Sequence, residues 1–394
     1  MQMTRILRYS VLSLSLLTII STTAVSPTLA ALAEYFPSAD IFLVQLVVVA
    51  HAFAIIPSLA AAPWLADRFS RKKVLLSGLL LFTISGVLGG MADDIYVLIG
   101  LRLILGAGLG LVIPFSTSLI ADFVEGEERQ KMMGLSSSLN TLGGMFALII
   151  SGYLTLVSWR FPFTIYFCGL PVFAMIYLIL PDEPPKKSRF SAESGKLPFH
   201  VYKVAFVMLI FSTVFFILTP TMALFLKDNA LGDSRIAGFA IAFTTGFGTL
   251  SGFMLPRTLK ITGKFFLPAM LAITGAGFVL LSVATSVGTV FVGSSMIGFS
   301  NRSLYPIFFF KATQNVPSEY FIRATAVVSS TIYIGQFMAP AFQKAIGILF
   351  KNPSTRFLYL FVALVTVSAA ALLLARLFFQ RQSVLKEQDG KFKE

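Results

Sequence analysis

The sequence predicts an all-α integral membrane protein in which twelve transmembrane helices form two pseudo-symmetric six-helix halves. Of its 394 residues, 56% are hydrophobic, and the mean hydropathy is +0.83. This is more apolar surface than the core of one water-soluble domain can bury. Apolar stretches of about 20 residues, the length that crosses a bilayer, recur along the whole chain. A polar segment near the middle divides them into two groups of six.

The predicted spans begin and end where charged residues, proline or glycine interrupt the apolar runs. In chain order they cover 9–33, 38–62, 74–92, 95–121, 131–156, 160–180, 200–226, 235–256, 265–284, 287–312, 323–349 and 355–379. The longest interruption contains four prolines and charges of both signs, which is typical of a solvated linker. We therefore expect a first half at 1–180, a cytoplasmic linker at 181–199, a second half at 200–379 and a cytoplasmic tail at 380–394.

The start of the chain has two features of a secretory signal, because Arg5 and Arg8 precede an apolar run that ends in Ala31-Leu32-Ala33. The run from Tyr9 to Ala33 is longer than the apolar core of such signals, which has about 7–15 residues. We therefore interpret this segment as the first transmembrane helix.

Basic residues are distributed unevenly between the two sets of loops. Of the 31 lysines and arginines, 23 lie on the side of the linker and both termini, and 6 lie on the other side. Because cytoplasmic loops carry the excess of basic residues, both termini are predicted to be cytoplasmic, in a multi-pass protein of the plasma membrane. The net charge of +13 does not indicate nucleic-acid binding, since the basic residues lie between apolar runs and not along one stripe with aromatic residues.

The two halves also resemble each other at a constant shift of 192 residues. This shift aligns Pro114 with Pro306, Glu127 with Glu319, Lys131 with Arg323, Ser137-Ser138 with Ser329-Ser330, Gly143 with Gly335 and Ala147 with Ala339. Chance matches among small residues of apolar helices are the alternative explanation. A repeat of six plus six spans is typical of transporters whose halves rock around a site at the midplane of the membrane.

A charged cluster, PWLADRFSRKKVL at 63–75, contains one acid and four bases in a chain with only 12% charged residues. It resembles the loop signature Gly-x-Leu-Ala-Asp-Arg-x-Gly-Arg-Lys-x-x-Leu of the major facilitator superfamily. The matching residues are Leu65, Ala66, Asp67, Arg68, Arg71, Lys72 and Leu75. Pro63 and Ser70 stand where the family has glycine, and neither tolerates a positive φ as glycine does.

Two further stretches resemble motifs of the same superfamily. Arg102, followed by Gly106, Gly108 and Gly110, is similar to the arginine-containing motif in span 4 of its proton-coupled branches. The segment 147–152 in span 5 occupies the place of the antiporter pattern Gly-Pro-x-x-Gly-Gly but lacks the proline. Ser158-Trp159-Arg160 follows it, as it often does in the 12-span drug/proton antiporter branch.

The resemblance implies a gating latch at the cytoplasmic ends of the helices. Asp67 would dock at the start of span 11, where a helix N-terminus favours an anion, and Arg68 or Arg71 would pair with Asp122 at the end of span 4. The alternative is that the basic residues of the cluster only determine topology, but this leaves Asp67 unexplained.

None of the eighteen acids lies in the middle of a predicted span, although a carboxylate in the membrane is the usual proton carrier of such transporters. The remaining titratable candidates are His51 in span 2 and the acids at span edges, Glu34, Asp40 and Asp122. His51 could titrate near neutral pH. The alternative is a neutral, packed histidine that forms a hydrogen bond to a neighbouring helix.

Arg102 and Arg302 are the two basic residues placed inside predicted spans, where charge is costly and a function is the default expectation. Either both line the cavity and bind an anionic group of the substrate, or each binds carbonyl groups freed by a break in a neighbouring helix. The other candidate cavity residues are Asn140, Asn301 and Gln336.

These patterns predict a secondary active transporter that works by alternating access. The preferred function is proton-coupled efflux of small hydrophobic or amphiphilic compounds, and the alternative is a carrier of organic anions or other metabolites. We expect a small-molecule substrate, a lipid bilayer as surroundings, function as a monomer, no cofactor and a proton gradient as the energy source. An enzyme or a metal site is not expected, since the chain has only two histidines and no His-x-x-x-His, Gly-x-Ser-x-Gly or Walker motif.

Overall fold

The computed structural model describes residues 5–124, 126–182, 184, 197–314, 316–317 and 320–391. These residues form helices and connecting turns, with no β-strand among them. The α-helices are α1 (Arg5–Thr23), α2 (Leu29–Tyr35), α3 (Ile41–Arg68), α4 (Arg71–Leu88), α5 (Ile95–Phe123), α6 (Gly126–Val157), α7 (Gly169–Ile179), α8 (Phe199–Phe216), α9 (Leu218–Asp228), α10 (Ser234–Thr262), α11 (Phe266–Ser282), α12 (Val287–Thr313), α13 (Phe321–Leu349) and α14 (Thr355–Lys391). Short 3-10 helices lie at Ser26–Thr28, Gly89–Met91, Phe161–Cys168 and Gly263–Phe265.

The helices follow the order of the predicted spans. The first span corresponds to α1 and α2 with the 3-10 turn between them, and the seventh to α8 and α9. Eight helical stretches of the described residues are long and apolar enough to cross a membrane. One of them, Ser234–Ser282, is 49 residues long and contains both α10 and α11. At about 20 residues a crossing, this stretch is long enough for two.

Several helices are longer than the predicted spans. Helix α3 continues to Arg68 instead of ending at 62, so that most of the charged cluster is helical and only Phe69 and Ser70 separate α3 from α4. Helix α14 continues to Lys391, into the predicted tail. Charged residues end the apolar run but not the helix, because a helix satisfies its own backbone groups outside the hydrocarbon region as well. The linker residues 185–196 lie outside the described part of the chain.

Acidic side chains cap three helices at one end of the bundle. Asp40 Oδ1 accepts a hydrogen bond from the Phe42 N–H at the start of α3, at 2.9 Å. Asp94 does the same for α5 and Asp233 for α10. An acceptor at this position satisfies a backbone N–H that has no partner within the helix, and its negative charge is favourable at the helix N-terminus.

The two halves share one kind of contact, in which the acceptor carbonyls follow the predicted shift of 192 while the two donor arginines are 196 positions apart. In each half, an arginine donates to two backbone carbonyls at the end of the third predicted span of that half. Arg160 donates to the Gly90 and Ala92 carbonyls at 3.0 and 3.1 Å, and Arg356 donates to the Ser282 and Ala284 carbonyls at 3.0 and 2.7 Å. Both acceptor pairs differ by exactly 192 positions. Each arginine thereby satisfies carbonyls at a helix end that have no helical partner.

Glycines at equivalent positions allow the helices of each half to touch. A Cβ atom on Gly106 of α5 would collide with the His51 carbonyl of α3, and a Cβ atom on Gly298 of α12 would collide with the Thr244 carbonyl of α10. Small residues at such contacts let backbones approach closely in membrane helices. The two glycines also differ by 192 positions, which supports two halves of one architecture.

Candidate functional site

Two ion pairs join the halves at one end of the bundle, which we call the Asp40 end. Lys344 Nζ lies 2.5 Å from Asp40 Oδ2, and Lys227 Nζ lies 2.7 Å from Glu34 Oε1. In each pair the acid belongs to the first half and the lysine to the second. The hydrogen bonds from Lys344 and from the Phe42 N–H lower the pKa of Asp40, since both stabilise the carboxylate.

A buried glutamine continues this contact towards the interior. Gln45, which is 1% exposed, donates through Nε2 to Gln343 Oε1 at 2.8 Å and to the Pro220 carbonyl at 3.4 Å. One side chain of the first half therefore binds α13 and α9 of the second. Neither Gln45 nor the lysine partners were predicted from the sequence, because nothing local identifies residues that meet across two halves.

The span-5 segment 147–152 packs against α10 of the second half. Ser234 Oγ donates to the Gly152 carbonyl at 2.8 Å, and a Cβ atom on Gly152 would lie 2.7 Å from the Ser234 carbonyl oxygen. A Cβ atom on Gly238 would lie 2.5 Å from the Leu148 carbonyl oxygen. This segment lacks the family's proline, but its glycine forms part of the contact between the halves.

Arg160, which follows this segment, acts within the first half. Besides the two loop carbonyls, its guanidinium binds Asp93 at 2.5 Å and the Tyr35 hydroxyl at 2.9 Å. The hydrogen bonds from Arg160 and Tyr35 lower the pKa of Asp93. The Trp159 and Tyr35 rings lie 4.4 and 5.2 Å from the guanidinium. Ser158-Trp159-Arg160 therefore ties together the loops of the first half at the Asp40 end.

The predicted latch lies at the opposite end of the bundle, which we call the Asp67 end. Asp67 and Arg68 are exposed in the last turn of α3, and Arg71 is the first residue of α4. The Arg68 guanidinium lies 4.0 Å from the Trp64 ring. Asp122 lies in the last turn of α5, and its side chain is outside the described part of the chain. The pairing of these residues stays a prediction.

The two departures from the loop signature fit the backbone without strain. Pro63 lies inside α3, and Ser70 is the N-cap of α4 with φ −60° and ψ 144°. Its hydroxyl accepts a hydrogen bond from the Lys73 N–H at 3.4 Å. Neither position has the positive φ for which glycine is required, so serine can replace glycine here as a helix cap.

Arg102 lies inside the first half and is only 2% exposed. Its Nε donates to the Val47 carbonyl at 2.8 Å, its Nη1 to the Tyr166 hydroxyl at 2.6 Å and its Nη2 to His51 Nδ1 at 3.3 Å. The guanidinium therefore connects α3, α5 and the 3-10 helix Phe161–Cys168. Tyr166 was not identified from the sequence, since an isolated tyrosine in an apolar run carries no signal.

His51 is fully buried beside Arg102. The Arg102 guanidinium only donates hydrogen bonds, so His51 Nδ1 would accept this contact in the tautomer that leaves Nδ1 unprotonated. His51 Nε2 has no hydrogen-bond partner among the described residues. Whether His51 carries protons or is a neutral, packed histidine stays a prediction.

Arg302 has the opposite environment. Arg302 is exposed on α12, and its side chain packs against Gly248 of α10. A Cβ atom on Gly248 would lie only 2.5 Å from the Arg302 Cγ atom. Within the described part of the chain, its guanidinium forms no hydrogen bond or ion pair. An exposed guanidinium in the middle of a predicted span is able to bind an anionic group in a bidentate manner.

A buried polar cluster adjoins Arg302. Asn301 is fully buried. The Tyr305 hydroxyl, one turn along α12, interacts with the side chains of Asn301 and of Ser212 on α8. Gln336 is buried on α13, whereas Asn140 is half-buried on α6. The role of Arg302, Asn301, Gln336 and Asn140 as cavity residues stays a prediction.

Comparison with known proteins gives three results. A model of the Major Facilitator Superfamily matches residues 11–340. The chain is 35% identical to quinolone resistance protein NorA of Staphylococcus aureus over 128 residues, which is 32% of each chain. It is 24% identical to the putative niacin/nicotinamide transporter NiaP of Bacillus subtilis over 296 residues, 70% of this chain and 72% of that protein. The match thus spans about a third of the length of NorA.

Two solved structures share the fold. One is a bacterial homologue of the lysosomal transporter Spinster, with a TM-score of 0.72 at 17% identity, covering 96% of this chain and 97% of that one. The other is a D-xylose–proton symporter, with a TM-score of 0.75 at 16% identity, covering 93% and 96%. At these identities the likeness concerns the fold alone.

Proposed function

Because the chain belongs to the Major Facilitator Superfamily, we propose that it moves small amphiphilic molecules across the plasma membrane by alternating access between its two halves. The observation that carries this proposal is the set of contacts between the halves at the Asp40 end, above all the ion pairs of Asp40 and Glu34. Exposed ion pairs between two halves can form and break as the halves rock, which is what alternating access requires.

The preferred cargo is a hydrophobic or amphiphilic compound that is exported in exchange for protons. The match to NorA, whose name denotes quinolone resistance, supports this cargo, as does the scarcity of charge inside the spans. With the termini in the cytoplasm, the Asp67 end would face inward and the Asp40 end outward.

The alternative cargo is an organic anion. Arg302 supports it, since an exposed guanidinium without a partner among the described residues would bind a carboxylate well. The match to NiaP, a putative niacin/nicotinamide transporter, also supports it. Asn301 and Tyr305 form a polar cluster next to Arg302 on the same helix.

Proton coupling would have to use groups at the edges of the spans or the buried cluster of Arg102, His51 and Tyr166. Asp40 and Glu34 bind lysines only while the Asp40 end is closed. When this end opens, Asp40 loses the lysine that lowers its pKa and takes up a proton more readily. Proton uptake would therefore accompany opening at the Asp40 end.

Flux in proteoliposomes tests the proposal. An imposed pH gradient is combined with a panel of lipophilic cations and organic anions, and Arg302→Gln is compared with Arg257→Gln, an exposed arginine on α10. Export of cations against the proton gradient, unaffected by Arg302→Gln, supports drug efflux. Anion flux that falls at least tenfold in Arg302→Gln but not in Arg257→Gln supports the anion carrier. Absence of flux for every compound, in protein that remains folded, contradicts both.

A further inference from the structure

A surface groove lies in the second half between α8, α11, α12 and α14. Its volume is about 570 Å³, within the range of about 300–1,000 Å³ that is typical of ligand sites. The lining is apolar apart from two lysines and one threonine. Representative apolar residues are Val207, Phe211, Leu271, Phe308, Val365 and Leu372. The hydroxyl of Thr366 donates to the Val362 carbonyl within its own helix at 2.9 Å, so it requires no ligand.

The two lysines lie together at one end of this groove. Lys203 is near the start of α8 and Lys311 is in the last turn of α12, and both helix ends lie at the Asp67 end of the bundle. Both side chains are exposed. Lys203 Nζ lies 5.0 Å from the Phe199 ring, and neither lysine forms an ion pair with an acid of the described residues. The mouth of the groove therefore carries two positive charges that nothing in its lining neutralises.

The groove has the depth of one leaflet. Its lining on α8 extends from Lys203 to Val214, a helical distance of about 16 Å at 1.5 Å per residue. The hydrocarbon core of a bilayer is about 30 Å thick, so this distance is close to half of it. A lipid whose headgroup lies beside the lysines would place its acyl chains along the whole apolar lining.

We propose that the groove binds an anionic phospholipid from the leaflet at the Asp67 end. One acyl chain lies against the apolar residues of α8, α11 and α14, and the headgroup phosphate lies between Lys203 and Lys311. Basic pockets between transmembrane helices on the cytoplasmic side bind anionic headgroups in this way. A zwitterionic lipid binds less well, because it brings its own cation to a site that already has two.

Spin-labelled lipids test the site in nanodiscs that contain the full chain. Electron paramagnetic resonance reports the immobilised fraction of labelled phosphatidylglycerol and phosphatidylcholine, from which their relative binding constants follow. Lys203→Gln/Lys311→Gln is compared with Lys260→Gln/Lys264→Gln. The control removes two exposed lysines from the same end of the second half, where neither lines the groove.

We expect wild type to immobilise about one phosphatidylglycerol per chain with clear preference over phosphatidylcholine. Each groove lysine should account for about a fivefold preference, as expected for a basic residue near a charged surface, and the control pair should change it less than twofold. Val207→Trp, which fills the groove without changing charge, should reduce the immobilised fraction of both lipids. An equal loss in the control pair, or no loss in the groove pair, would overturn the proposal, because either result means that only diffuse charge attracts the lipid.

Discussion

Lys344 of the second half donates to Asp40 of the first, with 2.5 Å between Nζ and Oδ2. Their side chains are 45% and 50% exposed, so water and salt screen the pair. Exposed ion pairs contribute about 0.2–1 kcal/mol each. This pair can therefore bias the equilibrium between closed and open states, but it cannot by itself hold the Asp40 end closed.

Acid should weaken closure at the Asp40 end. The pKa of Asp40 is lowered in this closed state, so its contribution to closure is present above the ordinary pKa and is lost as the pH falls through the lowered value. Asp40→Asn should shift the population towards opening by up to about fivefold and remove this part of the pH dependence. Distances between spin labels at Ser38 and Ile348, in a Cys168→Ala background, measure the shift.

Asp93→Asn is the matched control for this experiment. Asp93 lies at the same end and its pKa is also lowered by a hydrogen bond to an arginine, but its partner Arg160 belongs to the same half. The control should leave the distance distribution unchanged. If both variants open the Asp40 end equally, the effect comes from the local charge and not from the bond between the halves.

Close packing of α6 on α10 should be required for closure. Gly238→Ala places a methyl group 2.5 Å from the Leu148 carbonyl oxygen, and overpacking of this kind costs about 1–3 kcal/mol. We expect transport to fall about tenfold or more, and the labels at the Asp40 end to move apart. Gly252→Ala on the same helix meets no atom within 4 Å and should transport normally. Normal transport by Gly238→Ala would mean that the halves close without this contact.

The hydroxyl of Tyr166 should stabilise the first half. Tyr166→Phe leaves a buried guanidinium donor of Arg102 without this acceptor, which costs about 1–3 kcal/mol. Thermal unfolding in detergent should therefore occur at a temperature several degrees lower. Tyr177→Phe, at a 59% exposed tyrosine on α7, should unfold like wild type. Equal unfolding temperatures for the two variants would show that Arg102 finds another partner.

The latch prediction can be separated from substrate binding. Asp67→Asn should slow turnover at least tenfold while the substrate affinity changes less than twofold, because a latch acts on the conformational equilibrium and not on the ligand. Lys73→Gln removes a neighbouring charge of the same cluster and should have little effect. A parallel loss of affinity in Asp67→Asn would contradict a gating role.

Several features of the fold follow from the sequence alone. The order of the helices could be predicted because each apolar run is visible locally in the sequence. A run of about 20 residues matches the thickness of the bilayer and therefore forms one span. The shift of 192 was visible in Pro114 and Pro306, and the carbonyls bound by Arg160 and Arg356 obey it. Helix ends were less predictable, because caps such as Ser70, and not the loss of hydrophobicity, determine where a helix starts.

The tertiary structure alone decided which polar residues meet. Arg102 and Arg302 look alike in the sequence, as single charges within apolar runs. Yet one is buried against Tyr166 and His51, and the other is exposed over Gly248. Asp40 and Lys344 are 304 positions apart, and their contact depends on how the two halves dock. Hydropathy fixes the depth of a residue in the membrane, but the direction of a side chain and its partner depend on helix rotation and packing, which no local pattern encodes.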